Sequence, residues 1–226
     1  CRIILADTMA DNVSTHLETS LCYPAHISIG FFNKLCTNKE IDYFFIPHVK
    51  ELYVPGGIKR RDFCSTCNFS RGEAYYLRQL FKEQREKILC PSVSFNGGWE
   101  KGIDAFLSIG KKLGFSHKET RAAFYKGVRV QYDFEKNCME IGRTLLQKVH
   151  SQQNKVVIVI FGRPYNAYSS KANKGIPRKF TSRGYTVIPY EMIDYENEPI
   201  DKEHADFMTW EAGQRILRVA RIVKRD

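Results

Sequence analysis

The sequence lacks several features that define common functional classes. None of its apolar runs approaches the roughly 20 residues that cross a bilayer, so a membrane-spanning protein is not predicted. It has no glycine-rich phosphate loop of the GxGxxG or GxxxxGK(S/T) type, which excludes nucleotide hydrolysis by a P-loop. It shows no Ser-His-Asp pattern or nucleophile elbow. Its six histidines have no spacing typical of metal ligands.

The beginning of the chain lacks both an initiator methionine and a signal peptide. It opens Cys1-Arg-Ile-Ile-Leu-Ala-Asp7, a pattern that predicts a strand. We therefore expect a fragment of a longer cytoplasmic protein. The cysteine count is seven, an odd number, and without a secretory signal this favours reduced thiols over a disulfide framework.

The composition permits a folded, basic protein. Hydrophobic residues make up 43% of the 226 residues, enough for a sizeable core, and the net charge is +10. Such a charge would attract nucleic acid or a phosphorylated ligand such as coenzyme A. The basic residues are dispersed along the chain, however, which favours a solvated surface over a nucleic-acid footprint.

The segment from Lys155 to Asp194 predicts a βαβ unit. A continuous β-branched run is followed by the loop Gly162-Arg-Pro-Tyr-Asn166, a helix start and a second short apolar run. The loop lies where a parallel sheet places its ligands, at the carboxyl end of a strand. Arg163 could bind a carboxylate or phosphate, and Tyr165 and Asn166 could donate hydrogen bonds. The alternative is that glycine and proline only shape a tight turn.

The remaining patterns predict an α/β protein of two small lobes joined by helices. Residues 1–99 form the first lobe, with strands at 1–7 and 41–47 and helices at 13–19, 24–35 and 72–85. Residues 100–150 form a helical connector, with helices at 100–113 and 118–149, the second capped by Ser116 and Glu119. Residues 151–226 form the second lobe, which ends in a long amphipathic helix at 204–223.

Three cysteines are candidates for chemistry. Cys22 precedes Pro24 at a predicted helix start, where the helix dipole favours a thiolate suited to an iron–sulfur cluster or to a reactive cysteine. The alternative is a small buried hydrophobic residue. Cys64-Ser-Thr-Cys67 is a single CxxC without a second CxxC or a histidine pair, so a closed zinc site is poorly supported. A redox pair and two incidental thiols both remain open for it.

Four sequence features together carry a resemblance to a known family. They are Leu21-Cys-Tyr-Pro24, Cys67 with Tyr75, Gly162-Arg-Pro-Tyr-Asn166 with Gly175-Ile-Pro177, and Trp210 to Val223 with its Gly213-Gln-Arg-Ile-Leu-Arg218. In these the chain resembles proteins related to 2-hydroxyacyl-CoA dehydratases and their activators. The likeness is to the domain that follows an ATP-dependent activase in large bacterial fusion proteins.

The resemblance implies a pair of Rossmann-like lobes with parallel sheets and, in the full protein, a [4Fe–4S] cluster held by three cysteines. Carried over by position, Cys22 and Cys67 are two of its ligands. The activase would supply one electron with ATP hydrolysis, and a CoA-linked substrate would lose water. Asn68 stands where the family has a proline, and the family's third cysteine lies beyond the last helix. Cys64 or Cys90 could substitute for it, and we expect the fragment alone to carry no cluster and to be inactive.

Two functional hypotheses follow. The first is a fragment of an activase-associated, dehydratase-like iron–sulfur protein, active in low-potential electron transfer or radical dehydration. In it the Arg163–Asn166 loop lines a cleft opposite the cysteines. The second is a non-enzymatic docking module for an anionic partner, such as a CoA-like molecule or the activase itself. Nucleic-acid binding rests on charge alone and is the weakest alternative.

Overall fold

The computed structural model describes residues 2–6, 22–58, 60, 63–152, 156–169 and 172–225. The chain forms two compact units. Unit 1 contains residues 1–50 and 67–93, and unit 2 contains residues 51–66 and 94–226. These units divide the chain differently from the predicted lobe, connector and lobe, a scheme that stays a prediction. The helix expected at 13–19 lies outside the described residues.

The described residues of unit 1 include two α-helices packed on short strands. Its elements are α1 (Tyr23–Cys36), β1 (Phe44–Phe45), β2 (His48–Glu51), α2 (Asn68–Leu80), a 3₁₀ helix (Lys82–Lys87), β3 (Ile88–Leu89) and β4 (Ser92–Ser94). β1 pairs with β3 in parallel, and β2 pairs with β4. Apolar side chains of both helices and of the parallel pair form the core: Ile29, Phe32, Ile41, Phe44, Ala74, Leu77, Phe81 and Ile88.

Three predictions for unit 1 need correction. Residues 2–6 are not in a strand. The strand expected over 41–47 is reduced to Phe44–Phe45, consistent with Pro47, which has no N–H to donate to a ladder. The helix expected over 72–85 is α2, which begins at Asn68 and ends at Leu80, after which the chain tightens into the 3₁₀ helix.

Unit 2 contains two helices that the sequence predicts closely. A 3₁₀ turn (Trp99–Gly102) leads into α3 (Ile103–Lys112), and α4 spans His117–His150. The chain turns between them at Gly114, whose φ of 83° suits a residue without a Cβ. The capping box at the start of α4 is present, because Ser116 Oγ accepts from Glu119 N at 3.2 Å and Glu119 Oε2 accepts from Ser116 N at 2.9 Å.

The predicted βαβ unit is confirmed. β5 (Val157–Ile160) and β6 (Thr186–Pro189) are parallel, in a register that pairs Val157 with Thr186 and Ile160 with Pro189. The helices α5 (Pro164–Ala167) and α6 (Ile176–Thr181) lie between them in the chain. With β1 and β3, this pair confirms a mixed α/β protein with short parallel sheets.

The last predicted helix is divided in two. α7 (Lys202–Ala205) is separated from α8 (Glu211–Arg225) by residues 206–210. The interruption has a nonlocal cause: the backbone of Ser65 donates to Thr209 O and accepts from Glu211 N, so the chain there is extended. None of the helices among the described residues is both long and apolar enough to cross a membrane.

Candidate functional site

Two of the three candidate cysteines occupy the same position on different helices. Cys22 is the N-cap of α1 and Cys67 is the N-cap of α2, and both have extended backbone dihedrals. Neither makes a side-chain capping hydrogen bond, and neither helix has an acidic residue in its first turn. N-cap positions normally carry Ser, Thr, Asp or Asn. Each of these helices therefore begins at a thiol where an oxygen-bearing side chain is usual.

The contacts between α1 and α2 place these two N-termini at the same end of the helix pair. Ser28, six residues after Cys22, donates to the carboxylate of Glu73, six residues after Cys67. Farther along, the rings of Phe32 and Phe81 meet with centroids 4.9 Å apart. Contacts that advance together along both helices require that the helices run in the same direction.

One tyrosine of α2 interacts electrostatically with both thiols. Burial is the main cause that raises the pKa of the Tyr76 phenol, and the charge of Glu73 is the second. Negative charge on Cys22 and on Cys67 raises this pKa further. The Tyr76 phenol therefore interacts electrostatically with both cysteines. Burial also raises the pKa of Glu73, against the hydrogen bond from Ser28. We name Cys22, Cys67, Ser28, Glu73 and Tyr76 the two-cysteine site.

Sequence reasoning missed the three supporting residues of this site. Glu73 and Tyr76 share the face of α2 that carries the fully buried Leu77. A carboxylate on the apolar face of an amphipathic helix was the available signal, because a buried carboxylate needs a specific partner. Ser28 had no such signal, since only the packing of α1 on α2 reveals its role.

The arrangement suits soft-metal or thiol chemistry. Both sulfurs lie at helix N-termini, where backbone N–H groups can face a bound anion, and cysteine sulfur is the ligand preferred by iron–sulfur clusters. Cys36 lies at the opposite end of α1, about 20 Å of helix away, and burial raises its pKa to about 11. Cys90 lies near Arg78, in the last turn of α2, and burial raises its pKa as well. These contacts give neither thiol a place at the N-terminal end of the pair.

Cys64 has the environment of a structural thiol in unit 2. Its side chain is buried in the core with Val54, Tyr190 and Val219, and burial, followed by the charge of Glu51, raises its pKa. Gln214 Nε2 lies 3.9 Å from its sulfur. The use of Cys64 as a substitute ligand stays a prediction.

The segment that carries Cys64 is held by α8, the helix of the Gly-Gln-Arg-Ile-Leu-Arg motif. The side chain of Gln214 is fully buried; its Oε1 accepts from Ile58 N at 2.9 Å and its Nε2 donates to Phe63 O. Arg218 donates to Pro55 O at 2.7 Å and to Gly56 O. Arg215 donates to Tyr53 O. The polar residues of this motif therefore bind backbone groups between residues 53 and 63, and their role is structural.

The loop after β5 is organised around Arg163. Its guanidinium lies 4.6 Å from the centroid of the Trp210 ring and donates to the Tyr165 hydroxyl at 2.8 Å. Burial raises the pKa of Glu211, and the positive charge of Arg163 is among the smaller effects that oppose this shift. Asn166 lies within α5. The loop thus combines a cation with aromatic and hydroxyl groups, and the predicted binding role of Arg163, Tyr165 and Asn166 stays a prediction.

A buried acid follows β6 at the same edge of the strand pair. Burial raises the pKa of Glu191 to about 7, and within the described part of the chain neither of its buried carboxylate oxygens has a hydrogen-bond partner. The preceding Tyr190 is fully buried and stacks on Phe161, with ring centroids 6.1 Å apart. The sequence gave no reason to single out Glu191, because its isolation depends on the burial of the turn after β6.

One group of possible metal ligands lies elsewhere in the described residues. Asp201, Glu203 and His204 bring ligand atoms within 4.8 Å of one another at the start of α7. The group is largely exposed, and Asp201 is already paired with Arg221. Exposed acidic groups of this kind are common without a metal.

Comparison with known proteins identifies the family. The family model described as "CoA enzyme activase uncharacterised domain" matches residues 5–193, which include both N-cap cysteines and the loop after β5. No curated protein and no solved structure matches the chain. Because the match covers most of the 226 residues, the chain belongs to the CoA enzyme activase uncharacterised domain family (DUF2229).

Proposed function

We propose that this domain is the thiol-bearing component of an activase-associated iron–sulfur protein, in which Cys22 and Cys67 bind a [4Fe–4S] cluster. The observation that carries the proposal is the placement of both cysteines as N-caps at the same end of the packed helices α1 and α2. The family adds the expectation of a CoA enzyme activase as the functional partner.

The donor set fits part of such a cluster. Two cysteine sulfurs supply two of the protein ligands, and the two helix N-termini offset the negative charge of a thiolate-bound cluster. A bound cluster would supply one-electron chemistry. The chain's own contribution is to hold the two sulfurs through the Ser28–Glu73 contact between the helices. It also supplies the phenol of Tyr76 and the carboxyl group of Glu73, whose pKa values burial raises.

The proposal extends to the full protein. We place it in the cytoplasm, as a pair of Rossmann-like lobes next to an ATP-dependent activase domain that passes it an electron. Low-potential electron transfer, or radical dehydration of a 2-hydroxyacyl-CoA, is the reaction class. The third protein ligand would come from outside the residues described here.

Anaerobic reconstitution of the complete protein tests the cluster, with protein-bound iron and acid-labile sulfide counted. We expect the double variant Cys22→Ser/Cys67→Ser to lose most of both. The matched control is Cys36→Ser, at the far end of α1, which should retain them. Equal iron and sulfide in the wild type and in the double variant would refute the proposal.

The proximity of the two sulfurs can be tested on this chain alone with a trivalent arsenical, which bridges two neighbouring thiols. We expect tight binding of one arsenical that is lost in Cys22→Ser and in Cys67→Ser and is kept in Cys64→Ser. Loss in Cys64→Ser with retention in Cys22→Ser would instead assign the reactive pair to the CxxC. That result would contradict the two-cysteine site.

The alternative is a docking module for an anionic ligand such as a CoA-like molecule. It is favoured by the position of Arg163 over Trp210 after a parallel strand, together with the net charge of +10. It predicts coenzyme A binding that weakens with salt, weakens in Arg163→Ala and is unchanged in the cysteine variants. Calorimetry at two salt concentrations separates this function from the cluster.

A further inference from the structure

The long helix α4 carries an apolar stripe on its solvent side. Val130 and Phe134 are each 60% exposed and Ile141 is 51% exposed, although all three are large hydrophobic residues. They lie about 100° around the helix from the side that buries Val128, Gly142 and Val149. The stripe continues toward the N-terminus of α4 through exposed small residues at 123 and 127, over about 27 Å of helix.

The small residues leave the surface of this stripe open. A Cβ built on Gly127 meets no atom within 4 Å, so the described part of the chain does not cover the helix at that point. Glycine in a helix interior costs about 1 kcal/mol relative to alanine, and a partner that approaches the backbone closely would account for it.

The spacing of the stripe is that of a coiled coil. Positions 123, 127, 130, 134, 137 and 141 are separated alternately by four and three residues, the heptad a/d pattern. This pattern is self-complementary when a second copy runs antiparallel, because three pairs are all centred on position 132. Each pair joins a smaller residue to a larger one: Ala123 with Ile141, Gly127 with Asn137, and Val130 with Phe134.

The charges beside the stripe favour the same register. Lys126 and Glu140 are exposed on the edge of the stripe, and an antiparallel copy would bring each beside the other across the interface. Glu140 now lies 3.9 Å from Lys136 in an exposed pair of the same helix, which is a weak interaction. Asp133 would face its own copy near the twofold axis, a like-charge contact that opposes association.

We propose that α4 pairs with a second copy of this chain in an antiparallel, twofold-symmetric dimer, centred on position 132. A twofold interface must be self-complementary. The three pairs of stripe residues and the Lys126–Glu140 pairs both meet that requirement. The interface is narrow, because one helix face per copy contributes, so the dimer forms at high protein concentration. It involves no residue of the two-cysteine site and is independent of the proposed function.

Analytical ultracentrifugation of the chain over a concentration series tests the dimer. We expect the wild type to move from monomer to dimer by about 100 µM, the range for a small interface, and Phe134→Glu to remain monomeric. The matched control is Phe207→Glu, which changes an exposed phenylalanine outside α4 that is 82% exposed. Circular dichroism establishes that Phe134→Glu keeps its helix. A wild type that stays monomeric, or a Phe134→Glu dimer, overturns the proposal.

Charge exchange tests the antiparallel register and the identity of the partner. Lys126→Glu and Glu140→Lys should each weaken the dimer several-fold, and the double exchange should restore it. Asp133→Asn should strengthen it, because the like-charge contact is removed. If the double exchange fails to restore the dimer, residue 126 does not meet residue 140 of a second copy, and the proposed register is wrong. If changes to the stripe have no effect on self-association but the stripe binds a different protein, the proposed dimer is also overturned.

Discussion

The replacement Gln214→Leu should destabilise unit 2 strongly, because this side chain fixes the segment that carries Cys64. The side chain of Gln214 is fully buried and forms hydrogen bonds with both Ile58 N and Phe63 O. Leucine has a similar volume but can neither accept nor donate. One buried backbone group, Phe63 O, and one partly buried group, Ile58 N, would therefore lose their partner.

The expected magnitude follows from those two groups. Each unsatisfied backbone group costs about 1–3 kcal/mol, and the greater hydrophobicity of the buried leucine side chain offsets about 1 kcal/mol of the sum. We expect a net loss of about 1–5 kcal/mol in the free energy of unfolding. With a urea m-value of about 2 kcal/mol/M, the midpoint should fall by about 0.5–2.5 M.

Tryptophan fluorescence during urea unfolding is the appropriate assay, because the two tryptophans of the sequence, Trp99 and Trp210, both belong to unit 2. The matched control is Gln147→Leu, at an exposed position of α4, which should change the midpoint little. If Gln214→Leu shifts the midpoint no more than Gln147→Leu does, the hydrogen bonds of Gln214 do not hold the segment.

The variant Gln214→Glu adds a pH-dependent version of the test. A buried glutamate has its pKa raised above the unfolded value, so it stays protonated in the folded protein at low pH and can donate to Phe63 O. Its stability relative to the wild type should therefore be highest near pH 4 and should fall as the pH rises. A constant difference across the pH range would show that position 214 is hydrated.

Three smaller predictions concern other sites. Glu191→Gln should leave stability near pH 4 unchanged and raise it by about 1–2 kcal/mol at pH 8, after a discount for partial exposure. The reason is that between the ordinary pKa of 4.5 and the folded value of about 7 only the unfolded state of the wild type ionises at this residue. Urea melts at both pH values check this. Gly142→Ala should cost several kcal/mol, because its Cβ would lie 2.0 Å from Met192 O, whereas Gly127→Ala should stabilise α4 by about 1 kcal/mol, as thermal melts would show. Cys36 should alkylate more slowly at pH 8 than an exposed thiol and accelerate toward its pKa of about 11, which mass spectrometry can follow.

The features of the fold that the sequence predicted are those determined by neighbouring residues. The apolar run before Gly162 and the second run at 186–189 predict the parallel pair, and Ser116 with Glu119 predicts the start of α4 to within a residue. The interruption before α8 was not predictable in this way. It depends on Ser65, which is more than 140 residues away in sequence and pairs with the backbone on both sides of Trp210.

The candidate site shows the same division between local and nonlocal information. Pro24 indicated that Cys22 begins a helix, and it is the N-cap of α1. Cys67 was predicted to precede a helix, but the helix begins immediately after it, at Asn68 and not at Gly72. Glu73 and Tyr76 gain their significance only when α1 packs on α2, because Ser28 and Cys22 come from the other helix.

The α8 motif and the proposed thiol chemistry lie in different parts of the chain, and variants can separate them. The motif of α8 binds backbone carbonyls and amides through Gln214 and Arg218, so its loss should appear as reduced stability. The N-cap cysteines of unit 1 contribute no capping hydrogen bond to their helices. Serine is a better N-cap than cysteine, so Cys22→Ser and Cys67→Ser should leave stability equal or higher while they remove thiol chemistry. A residue whose replacement improves the helix and abolishes binding is retained for its chemistry, and this outcome distinguishes a site from a structural motif.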